Sequence, residues 1–484
     1  MKKYILTIDA GTSGVTILVI DKKLNVITKY YKELNQYHPK VGWVEHDPCE
    51  LINKISSILA KINETISFKN IASIGITNQR ESVILWDKLT GKPVYNIIVW
   101  QCSRTKDYCE KLKKDYTDII FNKTGLYIDS YFSATKINWL LNQKPALIDT
   151  NNMKNYIIGT VDSWIMWNLT NERNHFTDFT NASRTMIYNI NTKQWDKDLL
   201  KIFNIPTSLL PKVKNSSDNY GTLKNTKIPI NAVAGDQQAA LYGHGAYDMN
   251  TSKCTYGTGL FFLLNTGKKR IDSKNGLITT LACDEYGKPI YAMEGSVFMG
   301  GSIVQWIRDK LELIEHASQT EKIALSVKNT KNVYVIPAFS GLGAPHWNSE
   351  CTGIITGLTA GVDKRHIVRA CLESIAFQVE DLLSSIRKDI GKNIDVLNVD
   401  GGATKNIFLM KFQSDISNIK ILKPKNIEIT SLGVAIMAGV KISLWKNANE
   451  ALRYNEIDNK FSPSMSTKEQ NNKLKGWKKA LKQL

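Results

Sequence analysis

The sequence predicts an α/β protein with two lobes and a cleft between them. A strand that leads into a glycine- and threonine-rich turn occurs twice, near residue 9 and near residue 256, and other apolar strands end in acidic or glycine residues. The length of 484 residues suits two large domains. We place the boundary near residue 245, so that the predicted domains span residues 1–245 and 246–484.

The first segment predicts three consecutive strands. Residues 4–9 and 15–21 are rich in apolar and β-branched side chains, and a third strand begins at residues 26–28. The connecting residues 10–14 and 22–25 contain the glycine and asparagine that turns favour. Strand, turn, strand, turn, strand is typical of a β-meander.

A helix is predicted to begin after Asp47. This residue is a suitable N-cap, Pro48 suits the first helical position, and Glu50 is expected to complete a capping box. Leucine and isoleucine then recur at helical spacing as far as Ile62.

Polar residues follow three later apolar strands, where open α/β sheets bind ligands. These are residues 71–77, followed by Arg80 and Glu81; residues 230–236, which end in Asp236 and run into Gln237; and residues 396–399, which lead to Asp400.

Nothing in the sequence predicts secretion or a membrane span. Residues 429–445 are apolar, but they fall short of the ~20 apolar residues that a bilayer requires, so we expect a buried helix. The mostly apolar stretch before Asp9 spans only the five residues 4–8, which is too short for the apolar region of a signal peptide. Seven scattered cysteines without a Cys-x-x-Cys pair favour a reduced protein. We therefore expect a cytoplasmic protein without membrane insertion.

The charge is strongly positive, with 63 Lys and Arg against 45 Asp and Glu and a net charge of +18. This excess is compatible with nucleic-acid binding, with attraction of an acidic ligand such as a nucleotide, or with compositional drift on a surface rich in Lys, Asn and Ile. The basic residues cluster little outside residues 111–114 and 473–482, which favours drift.

Asp9 and the turn after it form a candidate phosphate site. Glycine lets a backbone approach its ligand, the hydroxyls of Thr12 and Ser13 can surround phosphate oxygens, and Asp9 can hold a hydrated Mg²⁺. The turns at residues 257–259 and 400–402 are similar, although each alone is compatible with a plain loop. Together they favour a nucleotide held in a cleft, since the sequence has neither a P-loop nor a dinucleotide fingerprint.

Other residues suit a small ligand. Arg80 and Glu81 offer a donor fork beside acceptor oxygens, which fits hydroxyl groups, with a solvent-exposed ion pair as the alternative. Asp236 can accept the proton of an attacking hydroxyl. Trp100 and Phe261 supply apolar surface, with a place in the core as the alternative.

Taken together, these motifs resemble the glycerol branch of the FGGY carbohydrate kinase family, within the actin-like ATPase group. The similarity runs in order through nearly the whole chain, and residues 78–81 (Asn-Gln-Arg-Glu) and 235–240 (Gly-Asp-Gln-Gln-Ala-Ala) are specific to that branch. The other matching stretches are residues 42–48, 75–77, 99–105, 131–136, 180–185, 255–259, 337–345 and 400–403.

The resemblance implies two ribonuclease H-like domains with the catalytic cleft between them. It implies transfer of a phosphoryl group from ATP, with Mg²⁺, to the 3-hydroxyl of glycerol, which gives sn-glycerol 3-phosphate and ADP. It also implies a homodimer or a homotetramer. We expect no nucleic-acid partner.

The resemblance also implies roles for single residues. Those expected to contact glycerol are Arg80, Glu81, Trp100, Tyr131, Asp236, Gln237 and Phe261, with Asp236 as the general base. Those expected to meet the β- and γ-phosphates are Thr12, Ser13, Gly14 and Thr258. Those expected to line the ribose and adenine are Gly301, Gln305, Gly402 and Asn406, while Asp9 would organise the water shell of Mg²⁺.

Three features depart from the family pattern. Thr16 stands where the family has an arginine beside the phosphate turn, which removes a cation that can assist the phosphates. Activity is still expected, because Asp9, Gly11 and Thr12 are present. Ser103 replaces a commonly basic residue. Residues 223–229 lack the Gly-Gly-Thr-Arg pattern that some bacterial members use for inhibition by fructose 1,6-bisphosphate, so this feedback is less expected.

Three other functions stay open. One is a related kinase for a pentulose or a similar sugar, against which Arg80, Glu81, Trp100 and Phe261 argue. Another is a nucleotide-responsive binding protein that has lost the chemistry, against which Asp236 argues. The third is a basic nucleic-acid-binding protein, which would not explain the glycerol and ATP motifs.

Overall fold

The computed structural model describes residues 3–143, 153–339, 341–348 and 350–484. The chain forms two compact units. The first contains Met1–Tyr247, Thr279–Tyr291 and Ile429–Tyr454, and the second contains Asp248–Ile278, Ala292–Glu428 and Asn455–Leu484. Two late segments therefore join the first unit, which a single boundary near residue 245 does not anticipate.

The strands of the described residues are, in chain order, β1 (Tyr4–Ala10), β2 (Gly14–Ile20), β3 (Val26–Glu33), β4 (Glu45–His46), β5 (Ile71–Asn78), β6 (Val83–Asp87), β7 (Ile97–Ile98), β8 (Tyr156–Thr160), β9 (Phe176–Asp178), β10 (Tyr188–Asn189), β11 (Gln194–Trp195), β12 (Lys212–Lys214), β13 (Ile230–Gly235), β14 (Ser252–Tyr256), β15 (Leu260–Gly267), β16 (Ile278–Cys283), β17 (Pro289–Val297), β18 (Tyr334–Ile336), β19 (Ile354–Thr356), β20 (Val396–Asp400), β21 (Lys420–Pro424) and β22 (Ile457–Phe461).

The α-helices of the described residues are α1 (Pro48–Ile66), α2 (Lys106–Thr124), α3 (Ser133–Gln143), α4 (Val161–Leu169), α5 (Phe179–Ala182), α6 (Lys197–Ile202), α7 (Asp236–Gly243), α8 (Ser302–Asp309), α9 (Gln319–Leu325), α10 (Lys364–Ile390), α11 (Ile407–Ser417), α12 (Ile429–Lys441), α13 (Ala448–Leu452) and α14 (Thr467–Leu481).

The main sheet of the first unit has the order β13-β5-β1-β2-β3. Strands β1, β2 and β3 pair antiparallel in sequence, which confirms the predicted β-meander. Strand β5 pairs parallel to β1, and β13 pairs parallel to β5. The carboxyl ends of β1, β5 and β13 therefore lie at one edge of the sheet, which is where an open α/β sheet places its ligand.

Helix α1 begins as the sequence predicts. The carboxylate of Asp47 accepts a hydrogen bond from Cys49 N at 2.7 Å, and Pro48 occupies the first turn. The expected capping box is wrong, because Glu50 Oε1 accepts from Asn35 Nδ2 at 2.9 Å. The carboxylate also forms an ion pair with Lys54, one turn later in the same helix. Glu50 thus contacts Asn35 outside the helix and Lys54 within it, rather than its own N-cap.

Helix α12 lies in the core of the first unit, as the apolar segment 429–445 predicts. All of its residues from Ser431 to Gly439 are buried. It packs so closely on β5 that a Cβ on Gly75 would lie 2.5 Å from the carbonyl oxygen of Val434. Among the described residues, no helix combines the length and the apolar character needed to cross a bilayer.

The second unit repeats the strand pattern of the first. Strand β15 pairs antiparallel with β14, β20 pairs parallel to β14, and β21 pairs parallel to β20. This matches β2, β1, β5 and β13 in turn. The 27-residue helix α10 is largely buried, and its apolar side chains contribute to the core of this unit. The repeat places the turn before β15 at the same topological position as the turn before β2.

Candidate active site

Three polar segments start from one edge of the first unit's main sheet. In the strand ladders Ala10 lies opposite Asn78, and Asn78 lies opposite Gly235. The chain continues from these residues into the turn before β2, into Arg80 and Glu81, and into Asp236. Sequence-distant residues are thus brought together by strand register.

Arg80 joins the two predicted carboxylates. Its Nε lies 3.2 Å from Oδ1 of Asp236 and 3.8 Å from Oε1 of Glu81. The side chains of Arg80 and Glu81 are 1% and 2% exposed, whereas that of Asp236 is 28% exposed. The exposed ion pair considered for Arg80 and Glu81 is therefore wrong, and within this trio it is Asp236 that solvent or a ligand can reach.

The backbone at Glu81 is unusual. Its φ is 64°, in the left-handed region that non-glycine residues rarely occupy. Ser82 N donates to the Arg80 carbonyl at 2.8 Å, and Ser133 Oγ donates to the Glu81 carbonyl at 3.0 Å, so the turn is held from both sides. Such conformations occur preferentially at ligand sites.

Arg184 links Glu81 to a cluster of aromatic side chains. The rings of Trp100 and Tyr131 meet edge to face, with centroids 5.5 Å apart. Arg184 is fully buried, and its Nε lies 2.5 Å from Oε1 of Glu81. Its guanidinium carbon also lies 5.5 Å from the ring of Tyr131 and 5.1 Å from that of Phe132.

Lys136 contacts the backbone of residues 131 and 132. It is fully buried, and its Nζ donates to the carbonyl oxygens of Tyr131 at 2.6 Å and Phe132 at 3.1 Å. Burial lowers the pKa of Lys136 to about 8, and the negative charge of Glu81 opposes this shift. Sequence reasoning assigned no role to Arg184 or Lys136, because an isolated basic residue is more often exposed.

Gln237 follows Asp236 in the first turn of α7. It is buried, and its backbone N–H donates to Oδ1 of Asp236 at 2.7 Å. Gly235, directly before the helix, has no room for a side chain, because an added Cβ would lie 2.7 Å from Cδ of Arg80. The close approach of strand β13 to Arg80 thus depends on glycine.

The turn before β2 is compact. Gly11 N donates to the carbonyl oxygen of Gly14 at 3.0 Å, which leaves Thr12 half-buried and Ser13 exposed at the tip. A Cβ on Gly14 would lie 2.6 Å from the carbonyl oxygen of Lys32, so this glycine is needed for packing against β3. The side chain of Trp100 reaches the turn, with Nε1 donating to Thr12 Oγ1 at 2.9 Å.

Asp9 and Thr16 face each other across the β1–β2 ladder. Both are partly exposed, so the residue that replaces the family arginine lies directly opposite the predicted Mg²⁺-organising carboxylate. Among the residues that the structure describes, no three His, Cys, Asp or Glu side chains are grouped to hold a metal ion.

The turn before β15 in the second unit is also held by backbone hydrogen bonds. Gly257 N donates to the Gly259 carbonyl at 3.0 Å, and the N–H groups of Gly301 and Gly300 donate to the carbonyls of Gly257 and Thr258, both at 2.8 Å. The two residues directly before α8 are thereby fixed against residues 257–258.

Glycine is also required where β20 ends. Gly401 has a φ of +93°, and a Cβ there would lie 2.6 Å from the carbonyl oxygen of Tyr256. A Cβ on Gly402, in contrast, would have no atom within 4 Å. The chain thus turns tightly against β14 and then exposes a bare backbone surface at Gly402.

A cavity of about 980 Å³ lies in the second unit. All five nucleotide residues predicted there line it, namely Thr258, Gly301, Gln305, Gly402 and Asn406. Its volume suits a nucleotide-sized ligand. The apolar part of its wall includes Val304, Leu325, Leu372, Ile375 and Leu409, which sequence reasoning did not identify.

Asn406 closes one side of this cavity. Its Oδ1 accepts from Leu409 N at 2.9 Å and caps helix α11, while its Nδ2 donates to Thr320 Oγ1 at 3.1 Å.

Phe261, predicted to contact glycerol, is half-buried on β15 in the second unit, opposite Thr255.

Two family models match the chain. The N-terminal domain of the FGGY family of carbohydrate kinases matches residues 4–243, and the C-terminal domain of the same family matches residues 252–442. The chain is 47% identical to glycerol kinases of Clostridium perfringens and Escherichia coli. The alignments cover 99% of this chain and 98% and 97% of those proteins, respectively.

Solved structures agree with this match. The structure of Plasmodium falciparum glycerol kinase with ADP superposes with a TM-score of 0.92 at 40% identity, over 99% of this chain and 98% of that one. A ligand-bound xylulose kinase of Lactobacillus acidophilus superposes with a TM-score of 0.87 over 98% of this chain and 96% of that one, but at 24% identity it supports the fold alone.

Proposed function

Because the chain belongs to the FGGY family of carbohydrate kinases, we propose that it phosphorylates glycerol with ATP and releases ADP. The observation that carries this proposal is the convergence of Arg80, Glu81 and Asp236, where two parallel strands end at the same edge of one sheet. The full-length identity to glycerol kinases supports it.

In this proposal most of the residues that bind glycerol belong to the first unit. The buried guanidinium of Arg80 and the carboxylate of Glu81 bind the hydroxyl groups, with Tyr131 and Asp236 as further partners and Gln237 nearby. Trp100 and Phe261 pack against the carbon chain. Charged groups that are already buried and paired can bind hydroxyls without first losing their own water, which favours a small polar substrate.

Asp236 acts as the general base. It takes the proton of the glycerol 3-hydroxyl as that oxygen forms a bond to the γ-phosphorus, and the bond from the γ-phosphorus to the bridging oxygen of ADP breaks. Its exposure of 28% is compatible with access for a hydroxyl group. Arginine remains protonated in proteins, so Arg80 holds the carboxylate without competing for the proton.

The remaining predicted residues bind the nucleotide. Thr12, Ser13 and Gly14 meet the β- and γ-phosphates together with Thr258, through hydroxyl and backbone donors. Gly301, Gln305, Gly402 and Asn406 contact the ribose and adenine, which the cavity of about 980 Å³ supports. The functional division into residues 1–245 and 246–484 and the cleft between the lobes stay predictions.

Mg²⁺ fits this chemistry through water and phosphate oxygens. Asp9 is partly exposed at the end of β1, and Mg²⁺ usually needs only one or two carboxylates beside phosphate and water. When bound, it would neutralise charge on the phosphates.

We further propose a cytoplasmic homodimer or homotetramer that binds neither nucleic acid nor membrane.

The proposal is tested by ADP release in a coupled assay, with glycerol, dihydroxyacetone, xylulose and ribulose as separate substrates and MgATP as the donor. We expect glycerol to give the highest kcat/KM. A preference for a pentulose would replace glycerol as the substrate, and absence of turnover with every substrate would support a binding protein instead. Salt-sensitive duplex binding without kinase activity would favour the nucleic-acid alternative.

A further inference from the structure

We propose that Trp100 positions the hydroxyl of Thr12 as a hydrogen-bond donor toward the phosphates of ATP, an inference that rests on the proposed function. The indole Nε1 of Trp100 lies 2.9 Å from Oγ1 of Thr12. An indole N–H can only donate, so Oγ1 is the acceptor in this bond. The hydrogen of the hydroxyl is then left to be donated elsewhere, and phosphate oxygens at neutral pH chiefly accept.

Trp100 is itself held in place by its backbone. Its N–H donates to Ser82 Oγ at 3.0 Å, and that hydroxyl donates in turn to Oε1 of Gln79 at 3.1 Å. The amide nitrogen of Gln79 lies 3.4 Å from the carbonyl oxygen of Gly11. Hydrogen bonds therefore connect Trp100 to the turn before β2 by two routes, one through the ring and one through the backbone.

Because Trp100 is held in place, its indole N–H can fix the orientation of the Thr12 hydroxyl, a role beyond apolar packing. A threonine hydroxyl rotates and offers either its hydrogen or a lone pair. A lone pair directed at a phosphate oxygen repels it, whereas a fixed donor stabilises charge without reorganisation when the ligand arrives. Phenylalanine would give glycerol a similar apolar surface but would leave the Thr12 hydroxyl unoriented. Trp100 is thus a positioning residue for the phosphate end of the site.

A double-mutant cycle on the full-length protein tests this inference. The affinity for the ATP analogue AMP-PNP is measured by titration calorimetry with Mg²⁺ present for the unmodified protein, Trp100→Phe, Thr12→Val and the double variant. We expect Trp100→Phe to weaken AMP-PNP binding about 3- to 10-fold, the usual effect of one neutral hydrogen bond. In the Thr12→Val background, the same substitution should change the affinity by less than about twofold.

Thr12→Ser is the matched control, because it keeps the hydroxyl and removes the methyl group. It should retain the sensitivity to Trp100→Phe. Equal effects of Trp100→Phe with threonine and with valine at position 12 would overturn the inference, as would unchanged AMP-PNP affinity in Trp100→Phe. Glycerol affinity, measured separately, reports any lost packing and should respond to Trp100→Phe equally in both backgrounds. Because AMP-PNP binding needs no turnover, failure of the cycle and failure of glycerol phosphorylation are separate results.

Discussion

Arg80 and Asp236 form an ion pair, 3.2 Å from Nε to Oδ1, in which the arginine is buried and the carboxylate reaches solvent. The pair joins the turn after β5 to the first residue of α7. The pair contributes little net free energy to folding, because the cost of burying the charge offsets much of the attraction. Its main effect is on geometry. It fixes the direction of the Asp236 carboxylate, which a base requires before a hydroxyl can approach it productively.

Asp236→Asn should abolish most turnover while substrate binding persists. The amide keeps the size of the side chain and an oxygen for Arg80, but it cannot take a proton. We expect kcat to fall about 10²- to 10⁴-fold, with the KM values for glycerol and ATP changed only a few-fold. Steady-state assays of ADP release measure both parameters.

Asp115→Asn is the control for this substitution, because Asp115 is exposed on α2 and belongs to no candidate site. It should have normal kinetics. Near-normal kcat in Asp236→Asn would remove Asp236 as the base, and a large rise in both KM values with unchanged kcat would make it a binding residue only.

Arg184→Met should destabilise the protein and weaken glycerol binding together. The substitution removes the buried cation that lies 2.5 Å from Glu81, and breaking a buried pair typically costs about 3–5 kcal/mol. Urea unfolding gives the stability, and the KM for glycerol gives the effect on the site. The matched control is Arg365→Met, which breaks an exposed pair with Asp363 and should leave both quantities nearly unchanged. Unaltered glycerol KM in Arg184→Met would show that Glu81 does not depend on Arg184.

The sequence predicts those parts of the fold that depend on local pattern. The β-meander, the start of α1 at Asp47 and the buried segment of α12 all follow from composition and spacing within a few residues. The inclusion of α12 in the first unit does not follow, because it depends on a packing contact between Gly75 and Val434, which are more than 350 residues apart.

The site divides in the same way. Arg80, Glu81 and Asp236 are predictable because each follows an apolar strand, and parallel pairing then brings them together. Arg184 and Lys136 carry no such signal. Their burial results from tertiary packing around Tyr131 and Phe132, and nothing in the residues beside them predicts it.

The stability of the protein should fall in acid partly because of His46. Burial lowers the pKa of His46 to about 4, whereas an exposed histidine has a pKa near 6.5. Between these values the unfolded chain binds a proton that the folded chain does not, so the free energy of unfolding decreases as the pH falls through this window. At pH 5 the expected share of one histidine is about 2 kcal/mol.

Urea unfolding at pH 7 and pH 5 measures this effect. His46→Gln should reduce the loss of stability between the two pH values by about that share. His316→Gln changes an exposed histidine and serves as the control. An equal loss in His46→Gln and in the unmodified protein would show that His46 does not titrate differently on folding.

Gly402→Ala should weaken ATP binding without affecting the fold. Gly402 lines the cavity of the second unit, and an added Cβ would have no protein atom within 4 Å, so the methyl group occupies only the space proposed for the nucleotide. A clash of this kind costs about 1–3 kcal/mol, which predicts a rise in the KM for ATP of about 5- to 150-fold. The unfolding midpoint and the KM for glycerol should stay unchanged.

Gly401→Ala separates this effect from a general intolerance of the turn. Gly401 has a φ of +93°, and its Cβ would lie 2.6 Å from the carbonyl oxygen of Tyr256, so the variant should unfold at lower urea concentration. Substitutions at the two neighbouring glycines should therefore have different effects. Alanine at position 401 should lower stability, and alanine at position 402 should lower ATP affinity. A normal KM for ATP in Gly402→Ala would mean that the nucleotide does not approach this backbone.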